Sequence, residues 1–142
     1  MAIVYANIGS NLGNKRALIE KALDFIGEYF SFYCISRFVE SEPWGFDSTN
    51  FFLNIGVAFK TELPPEEVLD TLQQIEKKIS SASHRDSSGK YIDREIDIDI
   101  MAIDELVYDT PRLKIPHPHL KERDFFLIPL KELISDEWNF PL

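Results

Sequence analysis

The order of apolar patterns along the chain is the feature that most constrains its fold. Apolar residues recur at helical spacing through residues 15–30, and again from Pro64 to Ile79. Strand-like segments lie before, between and after these helices, at residues 2–8, 32–39, 52–59 and 95–103. The resulting order, β-α-β-β-α-β, predicts an α+β fold of the ferredoxin-like kind, in which a mostly antiparallel sheet carries helices packed on it in three α/β/α layers.

The connections between these segments carry their own signals. The stretch from Gly9 to Asn14 has turn chemistry, with Asn14 as the expected cap of the first helix. Residues 80–93 form a long, serine-rich polar loop, and long loops in compact domains are usually functional. Further expectations are a loop at residues 41–50, a turn at Asp104–Glu105, an extended stretch at 111–119 and a last helix within 121–134.

The length of 142 residues predicts a single domain that spans residues 1–142, and a hydrophobic content of 44% predicts a packed core. Apolar runs are only a few residues long, against the roughly 20 that cross a bilayer, so no membrane segment is expected. The N-terminus lacks the basic region of a signal peptide. Cys34 is the single cysteine, which predicts a cytoplasmic location without an internal disulfide, and a monomer is the default expectation.

The charge balance argues against a nucleic-acid partner. The net charge is −9, from 24 acidic and 15 basic residues, and a polyanion is repelled by such a surface. A small phosphate ligand would need a local basic cluster or metal ions. Two stretches concentrate basic residues, which either a solvated face or a phosphate site explains. They comprise Lys77, Lys78, His84, Arg85, Lys90 and Arg94, then Arg112, Lys114, His117, His119, Lys121 and Arg123.

Asp97 and Asp99 are the sharpest candidates for chemistry. Side chains alternate along a strand, so both carboxylates face one side, while Ile96, Ile98 and Ile100 face the other. Two carboxylates on one face repel each other in a dry site, but they are tolerated if they share hard cations. Their spacing, about 7 Å along a strand, suits two-metal phosphoryl transfer. A half-exposed strand with solvated acids is the alternative interpretation.

Asn54 and His117 are further candidates. Asparagine is disfavoured within strands, so Asn54 satisfies a local backbone group or binds the edge of a polar ligand such as a purine or a pterin. His117 lies among basic residues, where it serves either a structural role or as a donor to a phosphate oxygen.

Short motifs spaced along nearly the whole chain support a more specific hypothesis. The most specific is the block from Asp93 to Ile100, which has the pattern Arg-x-(apolar)-Asp-(apolar)-Asp. The others are Ile8-Gly9-Ser10-Asn11-Leu12-Gly13, Phe52-Leu53-Asn54, Gln73-Gln74-Ile75-Glu76, Ile115-Pro116-His117 and Arg123-Asp124-Phe125. In this order and at this spacing, the motifs resemble those of the 6-hydroxymethyl-7,8-dihydropterin pyrophosphokinase family of folate biosynthesis.

The resemblance implies an ATP-dependent diphosphotransferase with ATP as co-substrate. The hydroxymethyl oxygen of 6-hydroxymethyl-7,8-dihydropterin would attack the β-phosphorus of ATP and give the pterin diphosphate and AMP. By the same resemblance, Asp97 and Asp99 would hold two Mg²⁺ ions on the triphosphate, and catalysis would rest on positioning and charge neutralisation.

The resemblance also assigns residues to the two substrates. The residues expected in catalysis are Arg94, Asp97, Asp99 and Arg85. Those expected along the nucleotide are Gln73, Glu76, Arg94, His117 and Arg123, with backbone groups of Ile100 and Lys114 near adenine. The expected pterin pocket consists of Ser41, Trp44, Phe52, Asn54, Tyr91 and Phe125, in which Phe125 stacks on the ring.

One stretch departs from the family pattern. Many members carry a Gly-Arg-x-Arg run shortly after the glutamate that matches Glu76, whereas this chain has Ser80-Ser81-Ala82-Ser83. The nearest cations are then Arg85 and Lys90. We expect this loop to close over both substrates, with Tyr91 covering the pterin.

Two other function classes remain open from the sequence. A non-enzymatic ligand-binding module would explain the strand order, but it would not explain the grouping of Asp97, Asp99, Arg94 and His117. A two-metal phosphohydrolase would need further histidine and carboxylate ligands and a base for its water nucleophile.

Overall fold

The central strand of the sheet is the first element of the chain. The computed structural model describes residues 1–42, 51–80 and 96–134. Its elements are β1 (Ala2–Ser10), α1 (Lys15–Tyr29), β2 (Ser31–Ile35), β3 (Val39–Ser41), β4 (Phe52–Thr61), α2 (Pro65–Ile79), β5 (Asp97–Ile103), β6 (Tyr108–Asp109), β7 (Lys114–Ile115) and α3 (Asp124–Leu133).

The sheet is antiparallel in every pairing of the described strands. β1 pairs with β4 on one side and with β5 on the other. β2 and β3 both pair with β4, so the strand order is β2-β4-β1-β5, with β3 beside β4. The predicted α+β fold with an antiparallel, ferredoxin-like strand arrangement is confirmed.

The two faces of the sheet carry different helices. Val4 and Ile8 of β1 point into a large apolar core that is shared with α1 and α2. Tyr5 packs on the opposite side with Phe126 of α3, because successive strand residues face opposite sides. The sheet is therefore the middle of three α/β/α layers, and the odd-numbered residues of β1 lie on the side of α3.

The first two helices begin as their sequences predict. The Asn14 side chain accepts a hydrogen bond from the Ala17 N–H (3.2 Å), which confirms it as the cap of α1. α2 begins at Pro65 and carries Glu66 and Glu67 in its first turn, where acids complement the helix dipole. No helix in the described ranges combines the length and apolar character needed to cross a membrane.

One predicted strand is two strands in the structure. Residues 32–39 break after Ile35, and the second part, β3, includes Ser41, for which the sequence predicts a loop. Ser36 accounts for the break, because its Oγ accepts a hydrogen bond from the Gly56 N–H (2.8 Å). The side chain thus takes a bond that a backbone carbonyl of a continuous strand would make.

β1 is longer than predicted. Gly9 and Ser10 continue the strand, although the sequence pattern places them in a turn. Gly9 is held there from both sides, since it pairs with Asn54 of β4 and with Asp97 of β5. The turn is confined to the residues before α1, where Gly13 has φ 72°.

A small hairpin joins β5 to α3. β6 and β7 pair antiparallel, and β7 lies within the stretch 111–119 that the sequence predicts to be extended. Tyr108 donates a hydrogen bond to Glu66 of α2 (2.6 Å), and Arg112 pairs with Asp70 on the same helix (2.6 Å). These exposed contacts contribute little stability individually. They hold the hairpin against α2 just before the chain reaches His117.

α3 lies close to the sheet at Gly56. A Cβ added at Gly56 would lie 2.6 Å from the Cβ of Pro129 and 3.0 Å from a methyl carbon of Leu133. Real carbon atoms do not approach so closely, so the helix rests on a position that only glycine can fill.

Gly56→Ala should therefore destabilise the protein. The added methyl group overpacks the interface with α3, at a cost of about 1–3 kcal/mol in the free energy of unfolding. Urea denaturation of both proteins measures the difference. An unchanged free energy of unfolding would mean that α3 does not pack on Gly56.

Candidate active site

Asp97 and Asp99 lie on the face of β5 that looks toward α3. Both are partly buried, whereas Ile98 and Ile100 between and after them are buried in the opposite core. The alternation predicted from the sequence is confirmed. The pairing of β5 with β1 places Asp97 opposite Gly9, and Asp99 two residues further along.

Glu76 fixes the backbone between the two aspartates. Its side chain is buried, and Oε2 accepts a hydrogen bond from the Ile98 N–H at 2.7 Å. A carboxylate accepting an N–H bond makes a strong, charge-assisted contact. Glu76 thereby connects α2 to the strand that carries the carboxylates.

Asn54, Gly9 and Asp97 form a row across three neighbouring strands. Gly9 of β1 pairs with Asn54 on one side and with Asp97 on the other. A Cβ added at Gly9 would lie 2.9 Å from Oδ1 of Asn54 and 3.3 Å from the Phe52 ring. The absence of a side chain at Gly9 therefore lets the Asn54 amide and the Phe52 ring approach the backbone of the central strand closely.

The Asn54 amide is held in place by neighbouring groups. The side chain is 1% exposed, and Nδ2 donates to the Val39 carbonyl (3.2 Å) and to Oγ of Ser41 (2.8 Å). Its Oδ1 accepts from Nδ2 of Asn7 (3.2 Å). The structure thus brings together Ser41, Phe52 and Asn54, which were assigned to one pocket from the sequence.

The start of α3 supplies cationic and aromatic groups on the same side of the sheet. The Arg123 guanidinium lies over the rings of Phe125 (5.6 Å) and Phe126 (4.9 Å). The Phe126 ring meets His117 edge-on at 4.9 Å. The backbone N–H of His117 donates a hydrogen bond to the Met101 carbonyl of β5 (2.9 Å), which anchors the residue to that strand. The half-exposed Phe125 is available for stacking.

His117 is a neutral hydrogen-bond donor in this environment. The pKa of its imidazole is lowered from 6.5 to about 4, first by burial, then by the Arg123 guanidinium and by electrostatic interaction with His119, against the opposing effect of Asp97. The backbone N–H of His119 donates to Nδ1 (3.1 Å), so Nδ1 is an acceptor. The proton of the neutral ring is then on Nε2, which can donate to an anionic ligand.

The remaining nucleotide residues lie around β5. Gln73 is exposed on α2, one turn before Glu76. Ile100 is buried in β5, and β7, which carries the exposed Lys114, lies next to that strand. The Lys114 ammonium pairs with Asp109 within the hairpin.

Four predicted site residues fall outside the described ranges: Trp44, Arg85, Tyr91 and Arg94. The loop of residues 80–93 also lies outside them, apart from Ser80. Their roles, and the closing of the loop over the substrates, stay predictions.

Sequence comparison assigns the chain to a family. Residues 5–135 match the sequence model of the 7,8-dihydro-6-hydroxymethylpterin-pyrophosphokinase family.

The chain belongs to this family.

Relatives of the same family match over nearly the full length. The 2-amino-4-hydroxy-6-hydroxymethyldihydropteridine pyrophosphokinase of Porphyromonas gingivalis is 41% identical, over 99% of this chain and 95% of its own. The enzyme of that name from Aquifex aeolicus is 41% identical over 94% of this chain and 81% of its own. The enzyme of that name from Bacillus subtilis is 32% identical over 92% of this chain and 77% of its own.

Solved structures support the fold. The chain is similar to the HPPK-DHPS protein crystallised in complex with substrates, with a TM-score of 0.72 and 16% identity. It is similar in the same degree to the HPPK-DHPS of Plasmodium falciparum. These matches cover 97% and 99% of this chain and 41% of each longer chain. At 16% identity, the likeness concerns the fold alone.

The sequence pattern assigns no role to two residues that lie beside Asn54. It predicts a turn at Gly9, yet Gly9 is the strand residue between Asn54 and Asp97. Asn7 was not singled out, although it is an asparagine within an apolar strand, the same signal that identified Asn54.

The carboxylate pair suits a magnesium ion that arrives with a nucleotide. Mg²⁺ is usually bound by one or two carboxylates together with substrate phosphates. Asp97 and Asp99 supply two partly buried carboxylates on one face. In the described ranges no group of three or more His, Cys, Asp or Glu residues could hold a metal ion by itself. The residues therefore fit Mg²⁺ that is shared with a triphosphate.

His117 should make the stability of the ligand-free, metal-free protein depend on pH. Between the ordinary pKa of 6.5 and the folded value of about 4, the unfolded chain binds the proton and the folded protein does not. The contribution of neutral His117 to the free energy of unfolding is therefore fully present above pH 6.5 and is lost as the pH falls from 6.5 toward 4. The loss is on the order of 1–2 kcal/mol after allowance for partial exposure. Urea denaturation at about pH 7 and about pH 5 measures the loss.

His117→Asn is the matched variant, because its amide oxygen can accept the His119 N–H as Nδ1 does. It should lose less stability than the wild type over the same pH interval. An identical loss in both proteins would assign the pH dependence to other groups.

Proposed function

We propose that this chain transfers the pyrophosphoryl group of MgATP to the hydroxymethyl oxygen of 6-hydroxymethyl-7,8-dihydropterin, a step in folate biosynthesis. A bond forms between that oxygen and the β-phosphorus, the bond from the β-phosphorus to the oxygen bridging to the α-phosphorus breaks, and AMP leaves. The hydroxyl proton is released. The observation that carries the proposal is the row of Asn54, Gly9 and Asp97, which sets an amide for a ring edge beside a carboxylate for a metal.

Asp97 and Asp99 would hold two Mg²⁺ ions. Their carboxylates lie on one face of one strand, and Glu76 fixes the backbone between them. Magnesium bound there would neutralise the triphosphate charge and stabilise the charge that develops in phosphoryl transfer. The fixed strand keeps the two carboxylates at a constant separation, which favours catalysis by positioning.

His117 and Arg123 would contact the phosphates from the α3 side. A neutral His117 with its proton on Nε2 donates a hydrogen bond without adding charge. Arg123 can donate two parallel bonds to a phosphate. Gln73, Ile100 and Lys114 lie around β5 where a nucleotide can continue away from the aspartates. Arg94 and Arg85 are assigned to the phosphates from the family pattern alone.

The pterin would lie over the Asn54 end of the row. Ser41, Phe52 and Asn54 are already in contact or close proximity there, and Phe125 offers a ring on the α3 side. Stacking between aromatic rings and hydrogen bonding to an amide edge together suit a flat, polar heterocycle. Trp44 and Tyr91 are assigned to the same pocket from the family pattern.

Incubation with MgATP, with and without the pterin, tests the function. AMP formation that depends on the pterin supports the transferase. Phosphate or pyrophosphate release without pterin would favour a phosphohydrolase, and absence of turnover with both substrates would favour a binding module.

The state and location of the protein follow as further proposals. We propose a monomer with one domain over residues 1–142. Cys34 is an exposed free cysteine, which suits the reducing cytoplasm expected from the sequence.

Asp97→Asn and Asp99→Asn should each lower the turnover rate by at least about a hundredfold, because each removes charge that balances the metal ions. The fold should persist, since removing one of two like charges relieves repulsion. Turnover is measured as AMP formation over a Mg²⁺ titration. Either variant at the wild-type rate under limiting Mg²⁺ would refute the metal assignment.

Asp104→Asn is the matched control. Asp104 directly follows β5 and has φ 44°, a conformation that asparagine tolerates. Its Oδ1 accepts a hydrogen bond from the Ile3 N–H (3.0 Å). An asparagine oxygen can accept the same bond, so the turnover rate should stay at the wild-type value.

Gly9→Ala should weaken pterin binding selectively. The added Cβ would meet Oδ1 of Asn54 at 2.9 Å and displace the amide from its position. We expect pterin affinity to fall by about tenfold or more while ATP affinity changes little. Calorimetry with each ligand measures both. A pterin affinity equal to wild type in Gly9→Ala would place the ring elsewhere.

A further inference from the structure

Asn7 has an unusual position in the middle of the sheet. Its side chain is 2% exposed and lies on the same face of β1 as Gly9. Nδ2 donates to Oδ1 of Asn54 at 3.2 Å. Oδ1 of Asn7 is buried and accepts no hydrogen bond from any residue in the described ranges. A buried carbonyl oxygen without a donor is costly and rare, so a bound group is expected to meet it.

The orientation of both amides follows from the Val39 carbonyl. A carbonyl only accepts hydrogen bonds, so the Asn54 atom that faces it must be Nδ2. Oδ1 of Asn54 therefore faces Asn7, and Asn7 must present its own Nδ2 to it. A flip of either amide would set two donors or two acceptors against each other. Oδ1 of Asn7 is thus the atom left over.

The neighbouring strands cannot supply the donor. Asn7 pairs with Gly56 of β4 and with Asp99 of β5. Gly56 has no side chain, and the side chain of Asp99 ends in two carboxylate oxygens. A ligand in the space beside Asn54, where the pterin is proposed to lie, can supply the donor that Oδ1 of Asn7 lacks in the described ranges.

We propose that Asn7 is a specificity-determining residue of the pterin pocket. Its Nδ2 holds the Asn54 amide in position, and its Oδ1 accepts a hydrogen bond from an N–H group of the ring. The two amide oxygens then favour a heterocycle whose edge carries donors, such as the ring N3–H and the 2-amino group of a pterin. This inference rests on the proposed function and adds a residue to its substrate site.

Asn7→Ala tests the proposal. We expect the KM and the dissociation constant for the pterin to rise roughly tenfold or more, because ring donors lose a buried partner. The KM for ATP should stay within about twofold. The thermal midpoint should change by no more than about 4 °C, because removal of the unmet oxygen offsets loss of the bond to Asn54.

Ser36→Ala is the matched control. Ser36 is also buried and polar, and its Oγ bonds to the backbone of β4 at Gly56. It should lower the thermal midpoint and leave the pterin KM near the wild-type value. If Asn7→Ala also lowers the thermal midpoint and leaves the pterin KM unchanged, Asn7 has a structural role and the proposal is wrong. If Asn7→Ala does not fold, the same measurements on Asn7→Ser decide between the two outcomes.

Substrate analogues separate the two roles further, because a purely structural role of Asn7 would not change the discrimination between the pterin and its analogues. The wild type should discriminate against a pterin methylated at N3, or against one without the 2-amino group, more strongly than Asn7→Ala does. Equal discrimination in both proteins would overturn the proposal. If the wild type itself forms no AMP with pterin and MgATP, the proposed function fails, whereas normal turnover with an unchanged pterin KM in Asn7→Ala refutes this inference alone.

Discussion

The pairing of β1 with strands on both sides determines what lies at the centre of the sheet. It fixes Gly9 between Asn54 of β4 and Asp97 of β5. A slip of one residue in either register would turn every side chain of that strand to the other face. The alternating isoleucines of β5 oppose such a slip, because it would expose them and bury the aspartates. The core on one side therefore holds the functional groups in position on the other.

The α3 side of the sheet combines close packing with polar and charged groups. α3 approaches the sheet closely at Gly56, where Pro129 fills the space of a side chain. On the same side, the charges of Arg123 and Asp97 act on His117. Burial keeps His117 neutral, so in the proposed function the positive charge that a triphosphate requires comes from arginine and from metal ions. Under that proposal, a chain with net charge −9 binds a polyanionic substrate through this local positive charge.

Local patterns in the sequence predict the elements and the paired aspartates, because side-chain alternation follows from strand geometry alone. Gly9 was placed in a turn since its local propensity favours one, and only pairing on both sides makes it a strand residue. The break at Ser36 depends on a bond to Gly56, twenty residues away. The open oxygen of Asn7 likewise depends on the register with β4, which no local pattern contains.

A crystal structure of the ternary complex with Mg²⁺, α,β-methylene ATP and 6-hydroxymethyl-7,8-dihydropterin tests the central claim most directly. The account predicts metal ions on the carboxylates of Asp97 and Asp99, and the polar edge of the pterin within hydrogen-bond distance of Asn54. Metal ions held away from both aspartates, or a pterin bound away from Asn54, would contradict it.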